Sequence, residues 1–276
     1  LKGTAQPRMD DALSSERILA GLETRFLGRH LLYLPETPST NDRLRSLAQE
    51  GAPEGSVVIT DYQSAGRGRL GRRWEAPPGE CLLLSLLFRP QLAAQQVQRL
   101  TMICGLAAVD AIATETGLDA ALKWPNDIVA RGGKLGGILT EVSHQADRLD
   151  YVIAGVGLNV NLDPAALPGR LLAPATSLAH LVGRRVDRLP LLWAFLRSLE
   201  VRYLALQDGV SPHQEWAERL DTLGQSVTVV TGDRLIEGLA EGVGADGALL
   251  VRQANGQLQT VVAGDVTLRG GARPLP

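Results

Sequence analysis

The spacing of apolar residues changes near residue 223, and this change constrains the fold more than any other single feature. Upstream of it, long segments with apolar residues at helical spacing alternate with short apolar runs typical of strands. From Gln225 onward the helical spacing is absent, and short β-type runs alternate with turn signals such as Asn255–Gly256. We therefore expect an irregular terminus over 1–13, an α+β unit over 14–223 and a small barrel-like β unit over 224–276.

The first unit is predicted to be a mixed β-sheet with helices packed on one side. One of its strands is the run Cys81–Phe88, which is apolar except for Ser85 and short enough to be a buried strand. Two helices are predicted nearer the amino terminus. One follows the serines at 14 and 15 and is expected to continue to Phe26, and the other begins at the capping residues Ser39–Asp42.

Composition and charge exclude several broad classes of protein. Hydrophobic residues make up 45% of the 276 residues, so the chain can bury a sizeable core and is not disordered as a whole. The net charge of −2 gives no overall basic field for nucleic acid. Cys81 and Cys104 are interpreted as buried thiols, and no metal-binding residue is assigned. Neither a signal peptide nor a membrane-length apolar run is recognisable, so we expect a cytoplasmic protein.

An arginine- and glycine-rich segment, Gly66–Trp74, carries the strongest chemical signal. Its sequence is GRGRLGRRW. Glycine lets backbone N–H groups approach an anion closely, and each arginine offers a fork of donors suited to phosphate or carboxylate. The spacing does not fit the common GxxxxGK[ST] phosphate loop. By itself the segment is interpreted either as a flexible phosphate-binding loop or as a solvated basic loop.

Four further segments place polar groups or glycines near the ends of predicted elements. The lysines of Lys123–Asp127 and Lys134–Ile138 suit a bound anion, but also a structural ion pair or an edge-strand lysine. The glycines of Gly155–Asn159 leave room for a ligand or for a packed helix. Ser39–Asn41 suits a helix N-cap or a site for a small polar group. Singly, no segment decides between a structural role and a binding role.

Taken together and in this order, the segments resemble the biotin protein ligases. The matching motifs are STN at 39–41, YQxAGRGRxGRxW at 62–74, KWPND at 123–127, KLGGIL at 134–139 and GxGxN at 155–159. The resemblance continues more weakly into Gly264–Arg269. It implies a class II synthetase-like catalytic unit followed by a small SH3-like β-barrel. It also implies an enzyme that joins biotin to ATP as biotinyl-5′-AMP and then transfers biotin to a lysine of a carrier protein.

The resemblance implies roles for individual residues. The implied catalytic cations are Arg67, Arg69, Lys123 and Lys134. The implied biotin-binding residues are Ser39, Thr40, Asn41, Gln63, Arg67, Gly68, Arg69, Lys134, Gly136, Gly137, Gly155 and Gly157. The implied ATP-binding residues are Arg69, Trp74, Lys123, Asn126, Asp127, Lys134 and Asn159. In these roles Lys134 would bridge the biotin carboxylate and the α-phosphate, and Trp74 would contact adenine.

The implied reaction needs no side-chain nucleophile, because the biotin carboxylate itself attacks ATP. The attack brings two anions together, so surrounding cations, with Mg²⁺ on the leaving pyrophosphate, would offset their repulsion. The mixed anhydride that forms is prone to hydrolysis, and a loop that closes over it would protect it. We expect the arginine-rich segment to be that lid.

The implied partner is the biotin carboxyl carrier protein of acetyl-CoA carboxylase or of a related carboxylase. Bacterial relatives often carry a DNA-binding unit before the catalytic unit, but only 38 residues precede Ser39, so we expect no operator binding. A repressor and a lipoate ligase are the alternatives. Ser39, Thr40 and Gln63 suit a ureido group better than the acyl chain of lipoate. We expect no membrane association, and a homodimer is one option for the oligomeric state.

Overall fold

The computed structural model describes residues 11–145, 148–166 and 174–268. The helices in these ranges are α1 (Ser15–Ala20), α2 (Thr40–Gln49), α3 (Gln98–Thr116), α4 (Leu178–Val182), α5 (Arg188–Gln207) and α6 (His213–Glu218). The strands are β1 (Leu31–Thr37), β2 (Val57–Gln63), β3 (Cys81–Phe88), β4 (Ala121–Lys123), β5 (Asp127–Ala130), β6 (Gly133–Gln145), β7 (Arg148–Asn159), β8 (Ser226–Thr231), β9 (Arg234–Val243), β10 (Leu249–Arg252), β11 (Leu258–Val261) and β12 (Asp265–Leu268).

The first seven strands form one mixed sheet in the order β1-β2-β3-β7-β6-β5-β4. β1 and β2 are parallel and are joined through α2, and the other neighbouring pairs are antiparallel. Every residue of β3 is buried, because this strand lies between β2 and β7 and is covered on both faces. Its nearly continuous apolar sequence follows from that position, and the predicted mixed sheet is confirmed.

The helices lie on both faces of this sheet. Leu86 and Val152 belong to the hydrophobic cluster that contains the buried sides of α3 and α5. Their neighbours along the strands, Leu87 and Ile153, pack instead with Leu44 of α2. Because successive side chains of a strand point to opposite faces, α2 lies opposite the two long helices. The long helices thus share one side, as predicted, whereas α2 does not.

The first helix is shorter than the predicted one and ends at Ala20 rather than near residue 26. A Cβ at Gly21 would lie 2.3 Å from the ring of Trp193 in α5. The buried carboxylate of Glu200, also in α5, accepts hydrogen bonds from the backbone N–H groups of residues 25–27 at 2.6–3.0 Å. These N–H groups therefore face α5 rather than a preceding helical turn, and tertiary packing overrides the apolar spacing.

A buried arginine ties the amino-terminal segment to the sheet. Arg188, which begins α5, is fully buried and forms ion pairs with Asp11 at 3.2 Å and with Asp61 at 2.7 Å. Leu13 is only 4% exposed. Ordered packing thus begins by residue 11, before the end of the irregular terminus that the sequence predicts, and residues 1–10 lie outside the described ranges.

The last five strands form an antiparallel sheet in the order β11-β10-β9-β8-β12. In the described ranges no pairing joins β11 to β12, so the sheet is open where the sequence predicts a small barrel. Trp124, 1% exposed, donates its indole N–H to the Gly247 carbonyl at 2.8 Å and so docks this sheet against the first unit. None of the helices described has both the length and the apolar character that a bilayer span requires.

The buried ion pairs of Arg188 give the first prediction. Arg188→Ala should lower the free energy of unfolding by about 3–5 kcal/mol, because it leaves the carboxylates of Asp11 and Asp61 without their buried cation. Arg197→Ala is the matched control, since Arg197 pairs with Glu23 on the exposed surface and should change the free energy by less than about 1 kcal/mol. Urea denaturation measures both values, and equal losses would contradict the assignment.

Candidate functional site

A cavity of about 710 Å³ lies where the two sheets meet. Its walls come from the amino-terminal end of α2, the end of β2, parts of β4 to β7, the Gly66–Trp74 segment and two strands of the second sheet. Val230 of β8 and Asp265, Val266 and Thr267 of β12 supply the contribution of the second sheet. Both units therefore build one site.

All the predicted site residues except Gly136 line this cavity. The structure brings together Ser39, Thr40, Asn41, Gln63, Arg67, Gly68, Arg69, Trp74, Lys123, Asn126, Asp127, Lys134, Gly137, Gly155, Gly157 and Asn159. Gly136 acts differently, because a Cβ there would lie 2.6 Å from the Gly157 carbonyl oxygen. It permits close packing of β6 against β7 instead of lining the cavity.

One end of the cavity is formed by four polar side chains, Ser39, Thr40, Asn41 and Gln63, which we call the polar end. Ser39 is the N-cap of α2, as its sequence context predicts. Thr40 donates from its backbone N–H and from its hydroxyl to the Gln63 amide oxygen, at 2.8 and 3.1 Å. Asn41 lies against β7 at Gly155, where a Cβ would come within 2.3 Å of its amide oxygen. The glycine therefore makes room for the asparagine.

The opposite end of the cavity contains two lysines held on adjoining strands. The β4–β5 hairpin sets Lys123 opposite Asp127, and β6 runs alongside. The Lys134 ammonium lies 2.5 Å from an Asp127 carboxylate oxygen and 5.9 Å from the ring centroid of Trp74. No partner for the Lys123 ammonium is present among the residues described. One cation is thus already paired, and the other is available to an incoming anion.

The Gly66–Trp74 segment, here called the arginine-rich loop, is a small closed hairpin over the cavity. Gly68 N–H donates to the Arg72 carbonyl at 2.7 Å, and Trp74 N–H donates to the Gly66 carbonyl at 2.9 Å. Leu70 is at the tip, 72% exposed and in the left-handed backbone region with φ of 56°. The loop is therefore internally ordered and covers the site.

Ion pairs anchor the arginine-rich loop on two sides. Arg67 contacts Asp42 at 2.7 Å and Glu141 at 3.1 Å, both in the first unit. Arg72 pairs with Asp265 of the second sheet. The resemblance implied that Arg67 would lie over the ligands, whereas its guanidinium pairs with carboxylates at the cavity rim. Arg67 therefore contributes to loop anchoring in this structure.

Arg69, like Arg73, is held without a carboxylate contact among the described residues. It donates to the Asn126 amide oxygen at 3.3 Å and to the Gly264 carbonyl at 3.4 Å. Burial lowers the pKa of Arg69, the nearby charge of Asp127 acts in the opposite sense, and that of Arg72 lowers it further. A partly desolvated guanidinium bound only to neutral oxygens is suited to pairing with an anion that enters the cavity.

Trp74 forms a flat wall of the cavity against β7. A Cβ at Gly157 would lie 2.8 Å from the indole ring, so glycine at that position lets the ring approach the strand. The Trp74 indole N–H is buried and has no hydrogen-bond partner. The nearby Asn159 donates to the carbonyls of Lys134 and Thr176 at 3.4 and 3.0 Å, so its amide N–H groups are committed to the protein.

Several residues at this site were not singled out from the sequence. They are Ser85, which contacts the polar end, Asp42 and Glu141, which pair with Arg67, and Val230 of the second sheet. Ser85 had a detectable signal, since it is the sole polar residue in the run of β3. Asp42 and Glu141 had none, because each lies in an ordinary amphipathic context. Arg269, in the closing motif, lies outside the described residues.

Comparison with known proteins places this fold and site in a family. The pattern of the biotin/lipoate A/B protein ligase family matches residues 33–159, and that of the biotin protein ligase C-terminal domain matches residues 222–269. The bifunctional ligase/repressor BirA of Bacillus subtilis is 34% identical over 269 residues, which are 97% of this chain and 82% of that protein.

Two further relatives agree. The biotin–[acetyl-CoA-carboxylase] ligase of Mycobacterium tuberculosis is 36% identical over 246 residues, covering 86% of this chain and 88% of that protein. The structure of the Aquifex aeolicus biotin protein ligase in complex with biotin and ATP superimposes with a TM-score of 0.75 at 28% identity, covering 88% of this chain and all of that one. The chain belongs to the biotin protein ligase family.

The thiols give the second prediction. Cys81 donates to the Asn159 amide oxygen at 3.6 Å, and burial raises its pKa to about 12. Burial likewise raises the pKa of Cys104 to about 12. Because only the thiolate is nucleophilic, neither cysteine of the folded protein should react with iodoacetamide at pH 8, whereas both should react in urea. Mass spectrometry measures the labelling, and rapid labelling of either folded thiol would contradict the prediction.

Proposed function

We propose that this cavity binds biotin and ATP, joins them as biotinyl-5′-AMP with release of pyrophosphate, and delivers biotin to a lysine of a carrier protein. The convergence of a polar end and a cationic end within one loop-covered cavity carries the proposal. The Aquifex aeolicus relative, solved with biotin and ATP, has the same fold. The names of the ligase relatives point to acetyl-CoA carboxylase as the source of the carrier.

The polar end suits the ureido ring of biotin. Its side chains present both acceptors and donors within a buried surface, since Thr40 and Asn41 are 3% and 4% exposed. A ureido group has two N–H donors and one carbonyl acceptor, and buried polar groups of a site bind strongly only when their partners match. An acyl chain offers none of these groups, so this end favours biotin over lipoate.

The cationic end suits the reacting carboxylate and phosphate. Lys134 lies between Trp74 and Asp127. If the biotin carboxylate and the α-phosphate replaced the Asp127 carboxylate, the positive charge of Lys134 would stay paired with an anion before and after ligand binding. Lys123 and Arg69 add two cations, and neither contacts a carboxylate among the described residues. Positive groups fixed around the point of attack reduce the repulsion between the two anions most in the transition state, where they are closest.

The indole of Trp74 suits the adenine ring. Its flat face is exposed to the cavity beside Gly157, and its N–H is buried without a partner. Every base has a flat π-face that can stack on an aromatic ring, and such stacking contributes about 1–3 kcal/mol per base. Asn159 also lines the cavity, but its amide N–H groups donate to the backbone carbonyls of Lys134 and Thr176. The implied contact of Asn159 with ATP stays a prediction.

Mg²⁺ fits this site as a companion of ATP. In the part of the chain that the structure describes, no group of three or more His, Cys, Asp or Glu side chains is arranged to hold a metal ion. Mg²⁺ commonly takes one or two carboxylates together with phosphate oxygens, and Glu75 and Asp127 line the cavity. Held by these carboxylates, the ion would neutralise charge on the leaving pyrophosphate.

The third prediction tests the reaction through Lys134. The wild-type protein, supplied with biotin, ATP and Mg²⁺, should release pyrophosphate, and Lys134→Ala should lower the rate by about 10²–10³-fold, because it removes the cation between the two reacting anions. Arg197→Ala, on the remote surface, is the control and should retain the wild-type rate. Thermal unfolding confirms that each variant is folded. Absence of pyrophosphate release by the wild type, with carrier present, would refute the proposed function.

The fourth prediction concerns the adenine end. Trp74→Ala should raise the Kd for ATP by about tenfold or more, the loss expected for one stacked base, while the Kd for biotin changes by less than about threefold because biotin lies toward the polar end. Trp74→Phe is the matched control and should preserve most of the ATP affinity by keeping a stacking ring. Isothermal titration calorimetry measures both ligands. Equal losses for ATP and biotin would exclude adenine stacking.

A further inference from the structure

Ser85 places a hydroxyl beneath the polar end, in the middle of an otherwise apolar strand. It is completely buried. Its Oγ lies 2.5 Å from the Asn41 amide oxygen and 2.7 Å from the Thr40 hydroxyl. The Thr40 hydroxyl in turn lies 3.1 Å from the Gln63 amide oxygen. These four side chains, Gln63, Thr40, Ser85 and Asn41, form a continuous line of oxygen contacts that we call the oxygen row.

The two ends of the oxygen row can only accept hydrogen bonds. The amide of Asn41 is held in one orientation, because its Nδ2 donates to Glu141 at 2.6 Å and to the Leu139 carbonyl at 3.3 Å. Its oxygen must therefore face Ser85. At the other end the oxygen of Gln63 accepts the backbone N–H of Thr40 at 2.8 Å, so that amide is also fixed.

The oxygen row is one hydrogen short. It contains three oxygen–oxygen contacts, Gln63 to Thr40, Thr40 to Ser85 and Ser85 to Asn41. Only the two hydroxyls can supply a hydrogen, and each hydroxyl carries one. One of the three contacts is therefore without a hydrogen. Among the described residues Ser85 is the donor to the Asn41 oxygen, so the Thr40 hydrogen bonds either Ser85 or Gln63, and the Gln63 oxygen keeps the Thr40 backbone N–H in both cases.

A ligand with an N–H group favours one of these two orientations of the Thr40 hydroxyl. If the ligand donates to the Gln63 oxygen, the Thr40 hydrogen is free to bond Ser85, and the Ser85 hydrogen bonds Asn41. Every acceptor in the row then has a donor, and the hydrogen bonds run in one direction. A ligand without an N–H leaves the Gln63 oxygen with its protein donor alone and gains no hydrogen bond there, so the row discriminates on the basis of a donor rather than of shape.

Glu141 connects the oxygen row to the arginine-rich loop. One of its carboxylate oxygens accepts the hydrogen bond from Asn41, and the other lies 3.1 Å from the Arg67 guanidinium. Arg45 also contacts Glu141, at 2.9 Å. The same carboxylate therefore fixes an amide at the polar end and one anchor of the loop.

We propose that Ser85 and Glu141 are positioning residues that select an N–H donor at the polar end and couple its binding to anchoring of the arginine-rich loop. This inference rests on the proposed function, because biotin is the ligand whose ureido ring supplies the N–H. Neither residue lines the cavity. Both act through Asn41, which a bound donor holds in place together with the Glu141 carboxylate that pairs with Arg67.

The selectivity step is tested with biotin and lipoic acid, which has no N–H. Ser85→Ala should raise the Kd for biotin about tenfold, the effect of one lost buried hydrogen bond. It should leave the Kd for lipoic acid within about twofold, because lipoic acid has no N–H to donate to the row in either protein. Ser85→Cys, a weak donor of similar size, should lie between the wild type and Ser85→Ala. An equal change for the two ligands would overturn the proposed selection.

The coupling step is tested by a double-mutant cycle. Glu141→Ala should raise the Kd for biotin and speed dissociation of biotinyl-5′-AMP, and adding Ser85→Ala should raise the Kd much less than the product of the single effects. Glu141→Gln keeps an acceptor for Asn41 and loses the charge on Arg67, so it should speed dissociation of the adenylate while changing the Kd for biotin by less than about twofold. Independent single effects would overturn the coupling.

Controls separate this inference from the proposed function. Glu241→Ala removes an exposed carboxylate paired with Arg252 in the second sheet and should change neither the Kd nor adenylate dissociation. Thermal unfolding of every variant identifies losses caused by instability. If the wild type fails to bind biotin, the proposed function is wrong. If the wild type binds biotin and the Ser85 and Glu141 effects are absent or independent, only the inference is wrong.

Discussion

The main physical constraint on this site is the repulsion between a carboxylate and a polyphosphate, which the cations of the site must offset. The chain carries a net charge of −2, so cations must be concentrated locally rather than supplied by an overall field. The hairpin of β4 and β5 and the neighbouring β6 place Lys123 and Lys134 together, and the arginine-rich loop adds Arg69 from above. In the ligand-free protein Asp127 compensates Lys134, which keeps the concentrated charge compatible with a stable fold.

The glycines of β7 determine how near the ligands can come to the sheet. Gly155 leaves space for Asn41 and Gly157 leaves space for Trp74, so two walls of the cavity rest directly on one strand. The strand is central in the sheet and flanked by β3 and β6. A cavity built on such a strand has a rigid floor, whereas the arginine-rich loop that covers it is held by contacts between side chains. This division suits a site that must admit substrates and then exclude water.

The sequence predicted the strands and the long helices, and all but one of the predicted site residues line the cavity, because each depends on local spacing or on a compact motif. The sequence did not predict the long-range contacts that join these elements and residues. Arg67 and Glu141 are 74 positions apart, and Arg69 and Gly264 are 195 positions apart. No local pattern encodes such pairs. The end of α1 also depended on distant residues of α5, and the position of α2 on the second face of the sheet depended on the crossover. The expected absence of operator binding stays a prediction from the sequence, and so does the option of a homodimer.

Anchoring of the loop on both sheets explains why two units are needed for one cavity. Arg67 is held by carboxylates of the first unit, and Arg72 by Asp265 of the second. Between these anchors Arg69 is aimed at the cavity by neutral oxygens from both units, Asn126 and the Gly264 carbonyl. If the second sheet were displaced, Arg72 would lose Asp265 and Arg69 would lose the Gly264 carbonyl, while Arg67 would keep both of its carboxylates. The loop would then be held chiefly through Arg67, so the contacts with the second sheet are what keep Arg69 and Arg72 in place over the cavity.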